Sequence, residues 1–185
     1  MSDLSRPNRA IRVPLDDNGR AVRDPQLYAL LGEYQNTVVR STHLDVVTQE
    51  LIRLRCARQH DCRICQTLRL ADAQQSGVNA DMESKIDFYE TSDLSERHKT
   101  ALRLVDAFIW RPQDMSDELV AQAHEYFSDA ELAEILVDIT KWSTQKIHVT
   151  LGIDGADHVQ TDDRGVAYFV FADDGKVASI SAELE

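Results

Sequence analysis

"ELIRLRCARQHDCRICQTLRLADAQQSG", residues 50–77, carries all three of the chain's cysteines, two of which, Cys62 and Cys65, lie three positions apart. The fold follows from how this stretch is read. Val46, Val47, Leu51 and Leu54 recur at helical spacing, so the spacing predicts a helix over about 44–59. Asp61 is a good N-cap residue, and Ser76-Gly77 is a stop signal. A further helix is therefore expected to start at Asp61 and run to the "QQSG" stop. On that reading Cys62 opens the helix and Cys65 sits one turn in, where free amides and the helix dipole favour a thiolate. Arg63 adds positive charge, and Arg69, four residues after Cys65, would share its face.

The rest of the chain extends this pattern. Only 7 glycines and 4 prolines in 185 residues, with 43% hydrophobic and 6% aromatic content, argue for long helices rather than a turn-rich sandwich. Helices are expected from Pro25, over "NADMESKIDFYE", over "LSERHKTALRLVDAFIW" and over "SDELVAQAHEYF". A long one follows in "SDAELAEILVDITKWSTQKIHVTLG", with a capping pair at Ser128 and Glu131. That last helix is nearly continuous in apolar residues and reads as central. The tail changes period: Val166–Phe171 between "DDRG" and "DDGK" reads as short antiparallel strands. The expected fold class is all-α, a bundle of about six to seven helices with a short C-terminal β-hairpin or three-stranded meander. Residues 1–24 form an N-terminal arm, 25–154 the helical domain and 155–185 the β-like tail.

The net charge of −12 argues against a nucleic-acid partner, and no apolar run approaches a membrane span. The N-terminal residues have no apolar leader region, so the expected location is cytoplasmic, where thiols stay reduced. Six arginines against three acids give residues 40–69 a net of +3, while residues 70–185 carry nine basic and twenty-four acidic residues, a net of −15. The basic segment could face an anionic substrate, or its arginines could simply be solvated. There is no Gly-rich loop or dinucleotide-binding pattern, so no cofactor is expected. Cys56, His60, Cys62 and Cys65 could in principle hold zinc, but two ligands on each of two helices joined by Asp61 would be strained, so no metal is expected. Two buried structural thiols are the plainer alternative to a redox pair. Glu50 lies among the apolar positions of its helix and is either a proton-transfer group near the thiols or a partner for Arg53.

A Glu, then a Cys-x-x-Cys twelve residues on, then a run to Gly resembles the core of the carboxymuconolactone decarboxylase / alkyl hydroperoxidase D (AhpD-like) superfamily. "DITKWSTQKIHVTLGID", residues 138–154, resembles that family's final helix. The resemblance spans roughly residues 25–154. It implies helical subunits assembled as a homo-oligomer, a trimer or hexamer, and a thiol-dependent peroxidase or disulfide-reductase cycle. Cys65 would attack a hydroperoxide or other small-molecule substrate, and Cys62 would resolve the product to a disulfide. Glu50 and a His four residues after the second cysteine would move the proton, and a thiol reductant, protein or small molecule, would reset the pair. Here the His position is Arg69, and the position before the second cysteine, usually Tyr, is Ile64. Guanidinium stays charged far above neutral pH and cannot exchange a proton as imidazole does. His60 and His148 are the candidate substitutes, and Arg69 could instead be locked in an ion pair with Glu50 or Asp72. The alternatives are a lactone-type decarboxylase, or a non-catalytic redox-sensing oligomer of the same superfamily.

Overall fold

The computed structural model describes Ile11, Asp17 and residues 25–184 of the chain. The expected N-terminal arm, 1–24, thus lies outside the described residues except at those two positions. Helix α1 spans Pro25–Val38 and α2 spans Val46–Gln59. A five-residue helix, α3 (Arg63–Thr67), runs straight into a three-residue strand, β1 (Leu68–Leu70), and then into α4 (Ala71–Gln75). After α5 (Ala80–Ser84) come a 3-10 turn, Ile86–Thr91, and α6 (Glu96–Trp110). Next are a short 3-10 turn at Pro112–Asp114, α7 (Asp117–Tyr126), α8 (Asp129–Ser143) and α9 (Lys146–Leu151). Strands β2 (Ala167–Phe171) and β3 (Val177–Ser181) close the described chain.

Helix α2 is the centre. Its Leu51, Ile52, Leu54 and Cys56 are almost wholly buried, and its two sides feed two clusters. Ile52 and Cys56 pack with Leu104 and Val105 of α6 and Ile135 and Ile139 of α8. Leu51 and Leu54 pack with Ile86, Tyr89 and Leu102. The helix starts cleanly because the Asp45 carboxylate accepts the Thr48 backbone N–H at 2.8 Å. Helix α8 begins with the capping box expected at Ser128 and Glu131. It stops at Ser143, so the long final helix read from the sequence is two helices, and the central place belongs to α2.

The larger departure is between residues 61 and 77. Asp61 does not cap a helix: its backbone is left-handed, φ +52°, and Cys62 takes the N-cap position without a side-chain cap bond. Nor does one helix run on to Gly77. Leu68, Arg69 and Leu70 pair in parallel with Ala167, Tyr168 and Phe169, and β2 pairs antiparallel with β3. The three-stranded sheet has the order β1-β2-β3. The tail expected to form its own hairpin or meander draws its third strand from the cysteine segment. The physical reason is burial: Leu70 and Phe169 share a cluster with Ala73 and Val78, which a continuous helix would leave unfilled. Tertiary packing here overrides local helix preference.

Candidate active site

The local backbone explains where the two sulfurs sit. The left-handed turn at Asp61 reverses the chain after α2, and the Cys62 N–H donates to Ala57 O at 3.0 Å. With no cap of its own, the start of α3 is held from far away in the sequence. The Asp154 carboxylate accepts the Arg63 backbone N–H at 3.0 Å and the Arg63 guanidinium at 3.1 Å, while Asp154 O accepts the Ile64 N–H at 3.0 Å. These donors hold the Asp154 carboxyl below the usual carboxylate range against the opposing effect of burial. Asp154 is thus the cap that the sequence reading assigned to Asp61.

Cys62 and Cys65 form a disulfide, with Cα atoms 5.3 Å apart. Cys62 is fully buried, whereas Cys65 is partly exposed and lines a cavity of about 390 Å³. That cavity is walled by Ile64 and Leu68 beside Cys65, by Lys141, Trp142 and His148 from α8 and α9, and by Phe169 and Phe171 from β2. The third cysteine, Cys56, is buried in the main cluster, and burial pushes its thiol far up, which makes it a packing residue.

Glu50 is fully buried and Arg53 only 3% exposed. Arg53 grips Glu50 with a two-pronged pair, Nε to Oε2 at 2.6 Å and Nη2 to Oε1 at 2.7 Å. The Leu70 N–H also donates to Glu50 Oε1, at 3.2 Å. Arg53 then reaches the redox segment itself: Nη1 donates to Cys65 O at 2.9 Å and Nη2 to Leu68 O. Glu50 therefore touches the cysteine loop through Arg53. The pairing with Arg53, one of the two readings of Glu50, is present but buried rather than superficial.

Arg69 does not share a helix face with Cys65, because α3 ends at Thr67. Its Nε lies 2.9 Å from Glu83 Oε2, and its Nη1 donates to the carbonyls of Gln66 and Leu68. It borders a separate open cleft with Arg58, Asp61 and Asp87. The ion pair expected with Glu50 or Asp72 is instead made with Glu83. Of the two candidate histidines, His148 lines the Cys65 cavity, and burial lowers its proton affinity while Asp154 raises it. His60 ends α2, is not among the residues lining that cavity, and is held to about 4 by burial and Lys146.

Two buried residues escaped sequence reading: Lys141, 5% exposed, which lines the Cys65 cavity, and Asp138, 4% exposed, which lines a smaller void beside Glu50 and Arg53. Both follow the buried stripe of α8, at three and six residues after Ile135, and that spacing was the available signal. Burial and Glu134 raise the Asp138 carboxyl to about 7, and Lys141 partly offsets this. Among the described residues, no group of three or more His, Cys, Asp or Glu is arranged to hold a metal ion, and no helix is long and apolar enough to cross a membrane.

No protein-family model matches the chain. Two curated proteins of Mycobacterium tuberculosis, the uncharacterized proteins MT2376 (strain CDC 1551 / Oshkosh) and Rv2313c (strain ATCC 25618 / H37Rv), are each 38% identical over 127 residues. The match is 68% of this chain but 45% of theirs, so the chain spans less than half the length of these relatives. Among solved structures, ATU0492 from Agrobacterium tumefaciens, a protein of unknown function proposed to be the antioxidant-defence protein AhpD, superposes with a TM-score of 0.59 at 21% identity. The superposition covers 70% of this chain and 89% of that one. A cysteine-to-alanine variant of the debrominase Bmp8, solved with 2,3,4-tribromopyrrole, superposes with a TM-score of 0.59 at 17% identity, covering 70% of each chain.

Proposed function

The chain has the AhpD-like helical fold, and on that premise we propose that it is a thiol-dependent oxidoreductase that reduces a hydroperoxide or a similar small electrophile. The observation that carries the reading is the asymmetry of the pair: Cys65 faces a cavity and Cys62 is sealed in the core behind it. In the reduced state the Cys65 thiolate attacks the terminal peroxide oxygen and the O–O bond breaks. The alcohol leaves and Cys65 becomes a sulfenic acid. Cys62 then displaces water to form the disulfide present in the structure. A dithiol reductant, protein or small molecule, returns both sulfurs to thiols. Glu50 acts here as a positioning residue, holding Arg53 against the Cys65 carbonyl.

The aromatic walls formed by Trp142, Phe169 and Phe171 support a second reading, reductive removal of halide from a small aromatic ring, the class of compound bound by the debrominase neighbour. That reaction also spends two thiols, yielding the hydrogen-substituted ring, hydrogen halide and the disulfide. Exposed Leu27 and Leu30 on α1 and Leu136 and Val137 on α8 support self-association into the trimer or hexamer expected from the resemblance. A pair that must cycle between thiol and disulfide fits a reducing cytoplasmic setting.

The deciding assay follows hydroperoxide loss with dithiothreitol as reductant from pH 6 to 9. Wild type should consume peroxide and Cys65→Ser should not. Cys62→Ser should accumulate a sulfenic acid at Cys65 that dimedone traps. Wild-type protein that consumes neither hydroperoxide nor a bromopyrrole, or Cys65→Ser protein with undiminished turnover, overturns the reading.

A further inference from the structure

The two positions that the resemblance assigns to proton transfer, Glu50 and Arg69, offer no free group beside the nucleophile. Glu50 is saturated by Arg53 and the Leu70 N–H, and Arg69 is turned to Glu83. The cavity itself holds another basic group. Lys141 is 5% exposed and lines the same cavity as Cys65. Its Nζ sits 2.9 Å from the centroid of the Trp142 ring and 5.7 Å from that of Phe171. Among the described residues no carboxylate lies within ion-pairing distance of it. A buried ammonium with aromatic rings for company and no directly paired carboxylate yields its proton easily. Burial and the Arg53 charge both push the Lys141 amine well below an ordinary lysine, with Asp138 pulling the other way.

We propose that Lys141 is the acid–base residue of the Cys65 site, taking the thiol proton and returning it to the departing oxygen. The proposal rests on the thiol reading of the site given above. The neutral amine accepts the Cys65 proton across the cavity they share, leaving a thiolate and an ammonium within it. The thiolate attacks the terminal oxygen of the hydroperoxide, the O–O bond pair leaves with the alkoxide oxygen, and the ammonium protonates that oxygen. The products are the alcohol, a Cys65 sulfenic acid and the regenerated amine; Cys62 then condenses with the sulfenic acid and releases water.

The other charged or titratable groups around Lys141 are less suited to the task. On α2, Arg53 has its donors committed to Glu50 and two carbonyls, and Cys56 is sealed in the core. On α8, Glu134 accepts from the Ser41 hydroxyl, the His43 N–H and the Gln49 amide. Asp138, one turn before Lys141, has a buried Oδ2 without a hydrogen-bond partner beside a void of about 30 Å³, and can hold a reserve proton. On α1, the Tyr34 hydroxyl donates to Val137 O. His148 and His158 also line the cavity, so His148 is the direct competitor and belongs in the test.

The test compares reduced wild type with Lys141→Met, Lys141→Arg and His148→Gln. Iodoacetamide alkylation of Cys65 is followed by mass spectrometry from pH 5 to 10, beside hydroperoxide turnover. Methionine is unbranched and of similar length, and far-ultraviolet circular dichroism verifies the fold. Lys141→Met should raise the pH midpoint of Cys65 alkylation by about one unit or more and slow alkylation at pH 7 about tenfold. Lys141→Arg keeps a charge that cannot be exchanged. It should alkylate readily yet lose about 10²–10⁴ in turnover, the usual cost of losing a general acid–base. An unmoved Cys65 profile in Lys141→Met, or a shift produced by His148→Gln in its place, overturns the proposal. If Lys141→Met shifts the alkylation midpoint while wild type consumes no hydroperoxide, the assignment of Lys141 stands and the substrate reading falls. If wild type consumes hydroperoxide and all variants match it in alkylation and turnover, the reverse holds.

Discussion

Removing Arg53 should damage both stability and the redox loop, and the size of the effect can be worked out. In Arg53→Met the methionine keeps much of the apolar stem but leaves a fully buried Glu50 with one remaining donor, the Leu70 N–H. Breaking a buried pair from one side costs about 3–5 kcal/mol. The carbonyls of Cys65 and Leu68 lose a charged donor as well, each worth about 1 kcal/mol or more. A domain of this kind has roughly 5–15 kcal/mol of total stability, so the variant should be marginal. The assay is urea unfolding of the oxidised protein at pH 7. With the two losses together at roughly 5–7 kcal/mol and a slope of about 2 kcal/mol per molar urea, the midpoint should fall by roughly 2.5–3.5 M. The double variant Glu50→Met/Arg53→Met removes the stranded carboxylate and should recover much of the loss, giving a coupling of about 2 kcal/mol or more in a double-mutant cycle. A single variant that loses less than about 1 kcal/mol, with no coupling, would refute the buried pair as the support of the cysteine loop.

Other outcomes follow from the same geometry. Asp154→Asn removes the distant cap of α3 and its pair with Arg63. Because the folded carboxyl titrates below its unfolded value, the stabilisation is complete above about pH 4 and fades as pH falls through the folded value. The variant should therefore be about 1–2 kcal/mol less stable at pH 7 and approach wild type as pH falls through the folded value in acid–urea titrations; a deficit that grows in acid would contradict this. Asp138 titrates near 7 when folded, above its unfolded value, so its ionisation works against folding as pH rises. Asp138→Asn should gain stability relative to wild type as pH rises from about 4 to 7 in thermal scans and hold that gain above pH 7, and a pH-independent difference would refute the burial argument. Gly175 has φ +80°, and a Cβ there would meet Asn36 O at 1.9 Å. Gly175→Ala should cost roughly 3 kcal/mol or more and loosen the β2–β3 turn from α1, read by hydrogen exchange; a cost under about 0.5 kcal/mol would show that the turn is not held there.

The sequence made some of this legible and hid the rest for identifiable reasons. The cysteine spacing, the buried Glu50 and the Ser128–Glu131 cap are local signals that need no distant partner to be read. The end of α3 at Thr67 depends on a strand partner at Ala167, so no window around Cys65 could reveal it. Arg69 was expected near Cys65 from helical spacing alone, and the same strand pairing carried it to Glu83. Asp138 and Lys141 read as ordinary polar positions of an amphipathic helix, because lysines and aspartates seldom lie inside. Only their place on the Ile135 stripe marked them, and a stripe shows burial without showing what chemistry the buried group meets.

The parallel pairing of β1 with β2 also sets a timetable. The chain leaves the ribosome from its N-terminal end, and Leu68–Leu70 must wait for partners about one hundred residues later before the segment can take its native course. During synthesis, then, the paired sulfurs emerge early onto an unfinished wall, open to oxidants and to foreign thiols. Only when Phe169 and Phe171 arrive does the nascent protein acquire the enclosure that lets one sulfur be selective about what it meets.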